Sequence, residues 1–406
     1  MPHLRTRYLE PILKNTLSAS PIVGVVGQRQ TGKTTLLEKI SSDYVTLDNP
    51  EDLENALKNP KLLISDRKAP FGIDECQESP PLFPILKEWV RVHKNPGQFI
   101  LSGSVRFSSI EEIRESLTGR MIDIELLPFC VTEAHGLPLF NIKRLTTSKN
   151  PLERLSENPL ASPKKVHLFE DYLKKGGLPG ICFIRSNSIR IRKLRSHIKT
   201  ILDRDLRQVT STLLDYLTLK TFLEEVALQQ GEVFDLAKAC RGARISPNSG
   251  KKLLSGLESV FLIRSIRKEG DTQGRLVYLE DQGMATFLLQ ERGIVLRKAQ
   301  QFRASDWNRF LFPQLFAQLN YQNGSAFEFF SYRTRGGALI DFVVQLDGHY
   351  QGYSIGFAEK ATHHQMRSAE SFLKKQKNAK VILLHMGSSF RKISDQIFEA
   401  PLGSVV

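Results

Sequence analysis

Gly27-Gln-Arg-Gln-Thr-Gly-Lys-Thr34 follows a short apolar run, Ile22 to Val26, and opens a segment of helical character from about Lys33. The spacing, glycine, four residues, glycine, lysine, threonine, is that of a phosphate-binding loop between a strand and a helix. Gly27 and Gly32 let the backbone turn so that its N–H groups face an anion, and the helix N-terminus adds a favourable dipole. In such a loop Lys33 reaches the β- and γ-phosphates of a nucleotide, and the Thr34 hydroxyl ligates Mg²⁺. The expected nucleotide shell is Gly27, Gln28, Arg29, Gln30, Thr31, Gly32, Lys33, Thr34 and Thr35, with ATP and Mg²⁺ as cofactors.

Outward from this loop, apolar runs alternate with helical stretches. The runs are Pro21 to Val26, Tyr44 to Leu47, Phe71 to Ile73, Phe99 to Leu101 and Met121 to Leu127, with helices expected at 33–42, 51–58, 81–94 and 110–118. Strands separated by helices predict an α/β domain built on a mostly parallel sheet. The run Phe71-Gly-Ile-Asp-Glu75 supplies an acidic pair at a strand end. Asp74 is expected to hold Mg²⁺ through water, and Glu75 to act as general base on the attacking water. Pro70 and Gly72 weaken that strand as a central element.

Ser102 and Ser104 end the next strand, where a polar side chain can sense the γ-phosphate; a simple serine-glycine turn is the bland alternative. Arg120 follows a helix and precedes a strand, a place from which an arginine can reach a neighbour's γ-phosphate in a homo-oligomer. Arg106 and Arg114 are rivals for that role, and a solubilising surface arginine is the alternative to all three.

The rest of the 406-residue chain is long enough for two or three domains. Hydrophobic residues make up 41% and charged residues 25%, so a large core forms without disulfides or a structural metal. Cys76, Cys130, Cys182 and Cys240 lie too far apart for a zinc or redox motif, which suits a reducing cytosol. The first seven residues show no signal-peptide pattern, and no apolar run approaches the ~20 residues of a membrane span, so a cytoplasmic protein without membrane contact is expected. A net charge of +14 favours a polyanionic partner such as double-stranded DNA.

The expected division is an ATPase domain at 1–136, a linker at 137–165, a helical and winged-helix-like region at 166–270, and an α+β domain at 271–406. The linker follows from Pro, Ser, Thr, Asn and Lys without a clean period. In the last section Phe342 to Leu346 and Val381 to His385 alternate as strands around a helix at 362–377.

Together with the phosphate loop, Tyr44 to Pro50, Ile73 to Gln77, Ile100 to Val105, Ser116 to Arg120 and Leu126 to Glu133 resemble a bacterial and archaeal branch of the AAA-like ATPases. The resemblance implies a C-terminal domain of unknown function holding a winged-helix-like part and a restriction-endonuclease-like part. It continues through Tyr172-Leu-Lys-Lys-Gly-Gly-Leu-Pro-Gly180, similar to a docking loop of that family, and through the helical signature Arg204-Asp205. A surface ion pair is the bland reading of that signature. Residues 232–267 resemble the winged helix, through Val233 to Ala239, a turn at Ser246-Pro-Asn248, then Gly250 to Ser259 and Val260 to Ile266.

A restriction-type nuclease needs a helix Glu, then Asp, then Glu-x-Lys on successive strands. Asp341 matches the Asp, but Gly356 and Ala358 stand where the acid and lysine belong, and the helix around Asn308 offers no carboxylate. Nuclease activity is therefore not expected, and this domain is expected to bind DNA or a protein partner. Arg185, Arg190, Arg192, Lys193, Arg195 and Lys199, with Arg241, Arg244, Lys251 and Lys252, are candidates to track a phosphate backbone. Trp89 and Trp307 read as core, and His363-His364 as surface.

The leading expectation is an ATPase whose nucleotide state switches DNA binding by its C-terminal part. A nucleotide-gated protein-interaction module with little turnover is the alternative, and a metal-dependent nuclease a remoter one.

Overall fold

The computed structural model describes residues 4–271, 273–322 and 326–406, so Met1-Pro-His of the opening stretch lies outside the described residues. The chain divides into two compact units, each assembled from separate segments.

The first unit comprises Met1–Pro128, Leu178–Tyr216 and Lys251–Leu262. Its sheet is parallel, in the order β2-β3-β4-β1-β5: β1 is Ile22–Val26, β2 Asp43–Thr46, β3 Phe71–Asp74, β4 Phe99–Gly103 and β5 Met121–Glu125. Every residue of β1 and β4 is buried, as both faces of a parallel sheet require. The connecting helices are Lys33–Ile40, Pro50–Lys58, Pro60–Ile64, Leu82–Val92 and Glu111–Leu117. Two of them show their local cause plainly. Asn49 caps Pro50–Lys58 by accepting from Glu51 N, with Pro50 at the first turn. Leu82–Val92 buries Leu82, Phe83, Leu86 and Val90 at helical spacing.

β3 pairs on both sides despite Pro70 and Gly72. Pro70 precedes the strand, so its missing N–H removes no ladder bond. Gly72 is needed there, because a Cβ would lie 2.2 Å from Ser41 Oγ.

The second unit comprises Phe129–Gly177, Leu217–Gly250 and Ile263–Val406. Its mixed sheet has the order β12-β13-β11-β10-β9-β8-β6-β7. The strands are β6 Ile263–Gly270, β7 Gly274–Leu279, β8 Phe327–Arg333, β9 Leu339–Leu346, β10 His349–Ile355, β11 Ala379–His385, β12 Arg391–Lys392 and β13 Ile397–Pro401. The helix Ala304–Asn320 supplies Trp307, Phe310 and Phe312 to the core, and Tyr278 stacks on Phe312 with ring centroids 4.2 Å apart. The helix expected at 362–377 is His363–Lys375, with a capping box at Thr362 and Gln365.

The division in sequence order differs from these units. The stretch 137–165, expected as a linker, carries helices Ile142–Thr147 and Pro151–Ser156. Ile142, Leu145, Leu155 and Leu160 are buried in the second unit's core, and that burial orders a composition that looks loop-like. Residues 178–216 and 251–262 belong to the first unit rather than to a separate middle domain; Phe261 packs in its core. The last stretch of the expected winged helix, Val260 to Ile266, runs into a sheet strand: β6 pairs with β7 on one side and β8 on the other, so the sheet begins before 271. Trp307 is buried as expected, whereas Trp89 is half-buried and donates from Nε1 to Gln98 Oε1 at 3.0 Å.

Candidate nucleotide site

β4 lies between β3 and β1, so the loops leaving all three strands meet at one end of the sheet. Ligands of open α/β sheets bind at such carboxyl ends. The phosphate loop leaves β1, and Gly32, with φ +95°, caps the helix Lys33–Ile40 in the left-handed region that glycine adopts without strain. Arg7 braces the loop from behind, donating to the carbonyls of Thr31 and, at 2.6 Å, Leu127.

Thr34 Oγ1 donates to Asp74 Oδ2 at 2.6 Å, and Tyr44 OH donates to the same oxygen at 3.0 Å. Ser102 Oγ donates to Asp74 Oδ1 and accepts from Glu75 N at 3.3 Å. Glu75 adopts a left-handed backbone, φ 53° and ψ 43°, a strained conformation for a non-glycine residue that turns the chain at the end of β3. Gln77 Nε2 and Ser104 Oγ donate to Glu75 Oε2 at 2.6 and 3.2 Å. The two serines thus serve one carboxylate each. A serine-glycine turn does not describe them.

Electrostatics separate the roles within this cluster. Burial opposes ionisation of Glu75, but Lys33 and Arg29 charges and the Gln77 and Ser104 hydrogen bonds hold its carboxyl below the ordinary range. Lys33 is fully buried, its Nζ donating to Gly27 O at 2.9 Å and Gln28 O at 3.1 Å. That burial pushes the ammonium down, with Glu75 and Asp74 acting in the opposite sense. The Thr34 hydroxyl and Asp74 carboxylate are hard oxygen donors in contact, the type of set that Mg²⁺ takes with one or two protein ligands.

Beyond Arg29, which belongs to the expected nucleotide shell, several contributors were not legible as site residues. Arg29 donates from Nε and Nη2 to the buried Asp205 at 3.1 and 3.4 Å. Arg204 turns away, to Glu78 at 2.7 Å, so Arg204-Asp205 is not a surface pair. His197 is buried, and among the described residues neither ring nitrogen has a hydrogen-bond partner. Burial, with Arg29 and Lys33 nearby, pushes its imidazole down to about 3. Gln77 and Tyr44 lay inside quoted motifs. Arg7, twenty-four residues from Thr31, carried no local signal.

Arg120 is elsewhere. Met121 is in register with Ile22 at the start of β1, which puts Arg120 roughly 20 Å from the phosphate loop along the strands. From there it cannot serve its own loop. Arg106 stacks on Phe261 at 4.3 Å and bonds Glu258 O and Glu125 within the first unit, while Arg114 is exposed.

In the second unit Asp341 is buried, and its carboxylate accepts from Ile355 N at 2.8 Å and Asn308 Nδ2 at 3.2 Å. Burial pushes it up. Beside Gly356, Gln365 Nε2 donates to Ser354 O and Leu384 O, and a Cβ on Gly356 would lie 2.3 Å from Gln365 Oε1. Among the described residues, no group of three or more His, Cys, Asp or Glu side chains is arranged to hold a metal ion.

Of the basic candidates, Arg190 is buried and donates to Asn187 Oδ1, so it is withdrawn from any phosphate-tracking set. Arg185, Arg192, Lys193, Arg195 and Lys199 are exposed, as are Arg241, Arg244, Lys251 and Lys252. His363 and His364 are exposed. The four cysteines are buried thiols, and among the described residues no helix is long and apolar enough to cross a membrane.

Residues 19–135 match the family described as AAA domain, and residues 166–292 match a domain of unknown function, DUF8612. Uncharacterized proteins of Mycobacterium tuberculosis and Mycobacterium bovis are each 26% identical over 405 residues, covering 97% of this chain and 83% of theirs. Among solved structures, the Walker-type ATPase of Pyrococcus abyssi is 14% identical with a TM-score of 0.40, covering 69% of this chain and 94% of that one. The chain thus carries an AAA domain, followed in sequence by a domain of unknown function.

Proposed function

We propose that the first unit is a Mg²⁺-dependent ATPase whose nucleotide state governs binding of DNA by the C-terminal region. The observation that carries this reading is the contact of Thr34, at the end of the phosphate loop, with Asp74, which Ser102 links to Glu75. Lys33 binds the β- and γ-phosphates, and Glu75, held ionised, accepts the proton of the attacking water. The water oxygen bonds the γ-phosphorus while the β–γ bridging oxygen leaves with its electron pair, giving ADP and phosphate. Thr34, and Asp74 through water, are the residues that would hold Mg²⁺, which when bound neutralises charge on the phosphates.

Exposed Arg241 and Arg244 in the second unit, with Arg192, Lys193, Arg195 and Lys199 on the first unit's helix Asn187–Thr200, support a polyanionic partner. Arg120 is remote from its own loop and cannot act there, which suits contact with a neighbouring copy's phosphates. The engaged Asp341 and the filled space beside Gly356 argue against a nuclease.

Phosphate release by the full chain, with and without double-stranded DNA across a salt series, tests this reading. Turnover lost in Lys33→Ala and DNA stimulation that weakens steeply with salt are expected. Turnover by Lys33→Ala at the parent rate would sink the ATPase assignment. Turnover indifferent to DNA would instead favour a protein partner.

A further inference from the structure

The third residue of the phosphate loop is the most unusual one in the site. Arg29 is fixed by a residue 176 positions away: its Nε and one Nη2 hydrogen lie along the Asp205 carboxylate, at 3.1 and 3.4 Å. A guanidinium has five N–H donors in a planar fork, so this side-on contact leaves the Nη1 edge uncommitted among the described residues. Arg29 keeps a modest exposure of 18%, against 2% for Asp205, so the carboxylate is the buried anchor and the arginine the group that faces outward.

The way Asp205 is presented is itself specific. The helix Asn187–Thr200 continues through a π turn, Ile201–Asp205, into the helix Leu206–Thr210. In an uninterrupted α-helix, a residue eight positions after His197 would sit about 80° off its line. The extra residue of the π turn brings Asp205 back to the side that His197 occupies, while Arg204 points to Glu78. His197 feels the charges of both Arg29 and Lys33, and Glu75 also feels both. The Arg29 charge, held in the phosphate loop by Asp205, therefore acts on the same two neighbours, His197 and Glu75, as the Lys33 charge does.

We infer that Arg29 is a phosphate-binding arginine supplied in cis, contacting the γ-phosphate through its free edge, and that Asp205 is the residue that positions it. This rests on the ATPase reading above and deepens it. The first unit then carries its own charge-stabilising arginine, and a residue from the stretch matching the domain of unknown function aims it. As the β–γ bond breaks, the guanidinium neutralises charge on the γ-phosphate oxygens, an effect an aqueous lysine would not match in geometry.

The test uses the full chain, with fluorescent ATPγS and ADP analogues for affinity and phosphate release for turnover. Arg29→Ala should reduce the preference for triphosphate over diphosphate about 10-fold or more and turnover about 100-fold, while ADP affinity stays near the parent value. Arg29→Lys should recover part of the preference. Asp205→Asn should slow turnover about 10-fold with ADP affinity retained. A purely structural ion pair would lower melting temperature in all three and leave the triphosphate preference unmoved. That preference, unchanged in folded Arg29→Ala, would overturn the inference. If Arg29→Ala does not fold, parent-like preference and turnover in both Arg29→Lys and Asp205→Asn would overturn it equally. Loss of nucleotide binding in Lys33→Ala alongside such a result would leave the ATPase reading standing; a parent chain that binds neither analogue would remove both.

Discussion

Thr34 Oγ1 and Asp74 Oδ2 are 2.6 Å apart, although forty residues separate them in sequence. The contact exists because β1 and β3 flank β4 in one parallel sheet and release their loops at the same end. It joins the residue that closes the phosphate loop to the one that precedes the general-base candidate, so the loop and that candidate share one hydrogen-bonded network.

Glu75→Gln should retain ATP binding and lower turnover about 10²- to 10³-fold, because the amide keeps the partners' geometry but cannot accept a proton. Nucleotide affinity and phosphate release measured on the same preparation check this. Parent turnover in the variant would reassign the base.

Ser102→Ala removes the donor to Asp74 and leaves the buried Glu75 N–H without its acceptor. Stability should fall by about 1–3 kcal/mol, and turnover by about 10-fold as both carboxylates lose their relative placement. Denaturant melts and phosphate release together check it. Unchanged values in both would show Ser102 to be a bystander.

His197, facing Arg29 and Lys33, has its imidazole pushed down to about 3. A histidine's ordinary value near 6.5 applies in the unfolded chain, so the unfolded state takes up the proton first. The stability this group contributes is present above about pH 6.5 and is lost as pH falls, by up to about 1.4 kcal/mol per unit, down to about 3. His197→Leu should flatten that decline. Denaturation midpoints of parent and variant across pH 7 to 4 decide it; parallel curves would contradict the burial of a neutral imidazole.

Leu155→Ala tests the stretch whose composition suggests a linker. Leu155 is fully buried in the second unit's core, so the variant should lose about 2–5 kcal/mol. A change below about 0.5 kcal/mol in urea unfolding would be the behaviour of a true linker.

Asp341→Asn should be neutral or stabilising at pH 7, because burial disfavours the ionised carboxyl, and the new amide can donate to the unpartnered Asn308 Oδ1. Asp341→Ala should cost about 1–3 kcal/mol by orphaning the Ile355 N–H. Neither should alter any Mg²⁺-dependent cutting of DNA, which the parent should lack. Cutting that disappears in Asp341→Ala would revive a nuclease.

Much of the first unit was legible because its signals are local. The five strands and four of their helices follow from short-range alternation, and Asp74 and Glu75 from their position at a strand end. Ser102 and Ser104 were ambiguous singly. Only the register of β4 between β3 and β1 brings each hydroxyl to its own carboxylate. The linker reading of 137–165 failed for the opposite reason. Polar residues there hide a few leucines whose burial partners lie far along the chain.

The sequence alone determined the phosphate loop, the parallel sheet that carries it and the acidic pair beside it, since each rests on spacing within a few residues. It also determined that Gly356 and Ala358 offer no ligands for a nuclease metal. Tertiary structure alone decided that Asp205 returns from the following region to hold Arg29, that Arg204 does not pair with it, and that Arg120 lies at the far end of its strand. Those relations depend on chain reversal and sheet register over tens to hundreds of residues, which no local period encodes.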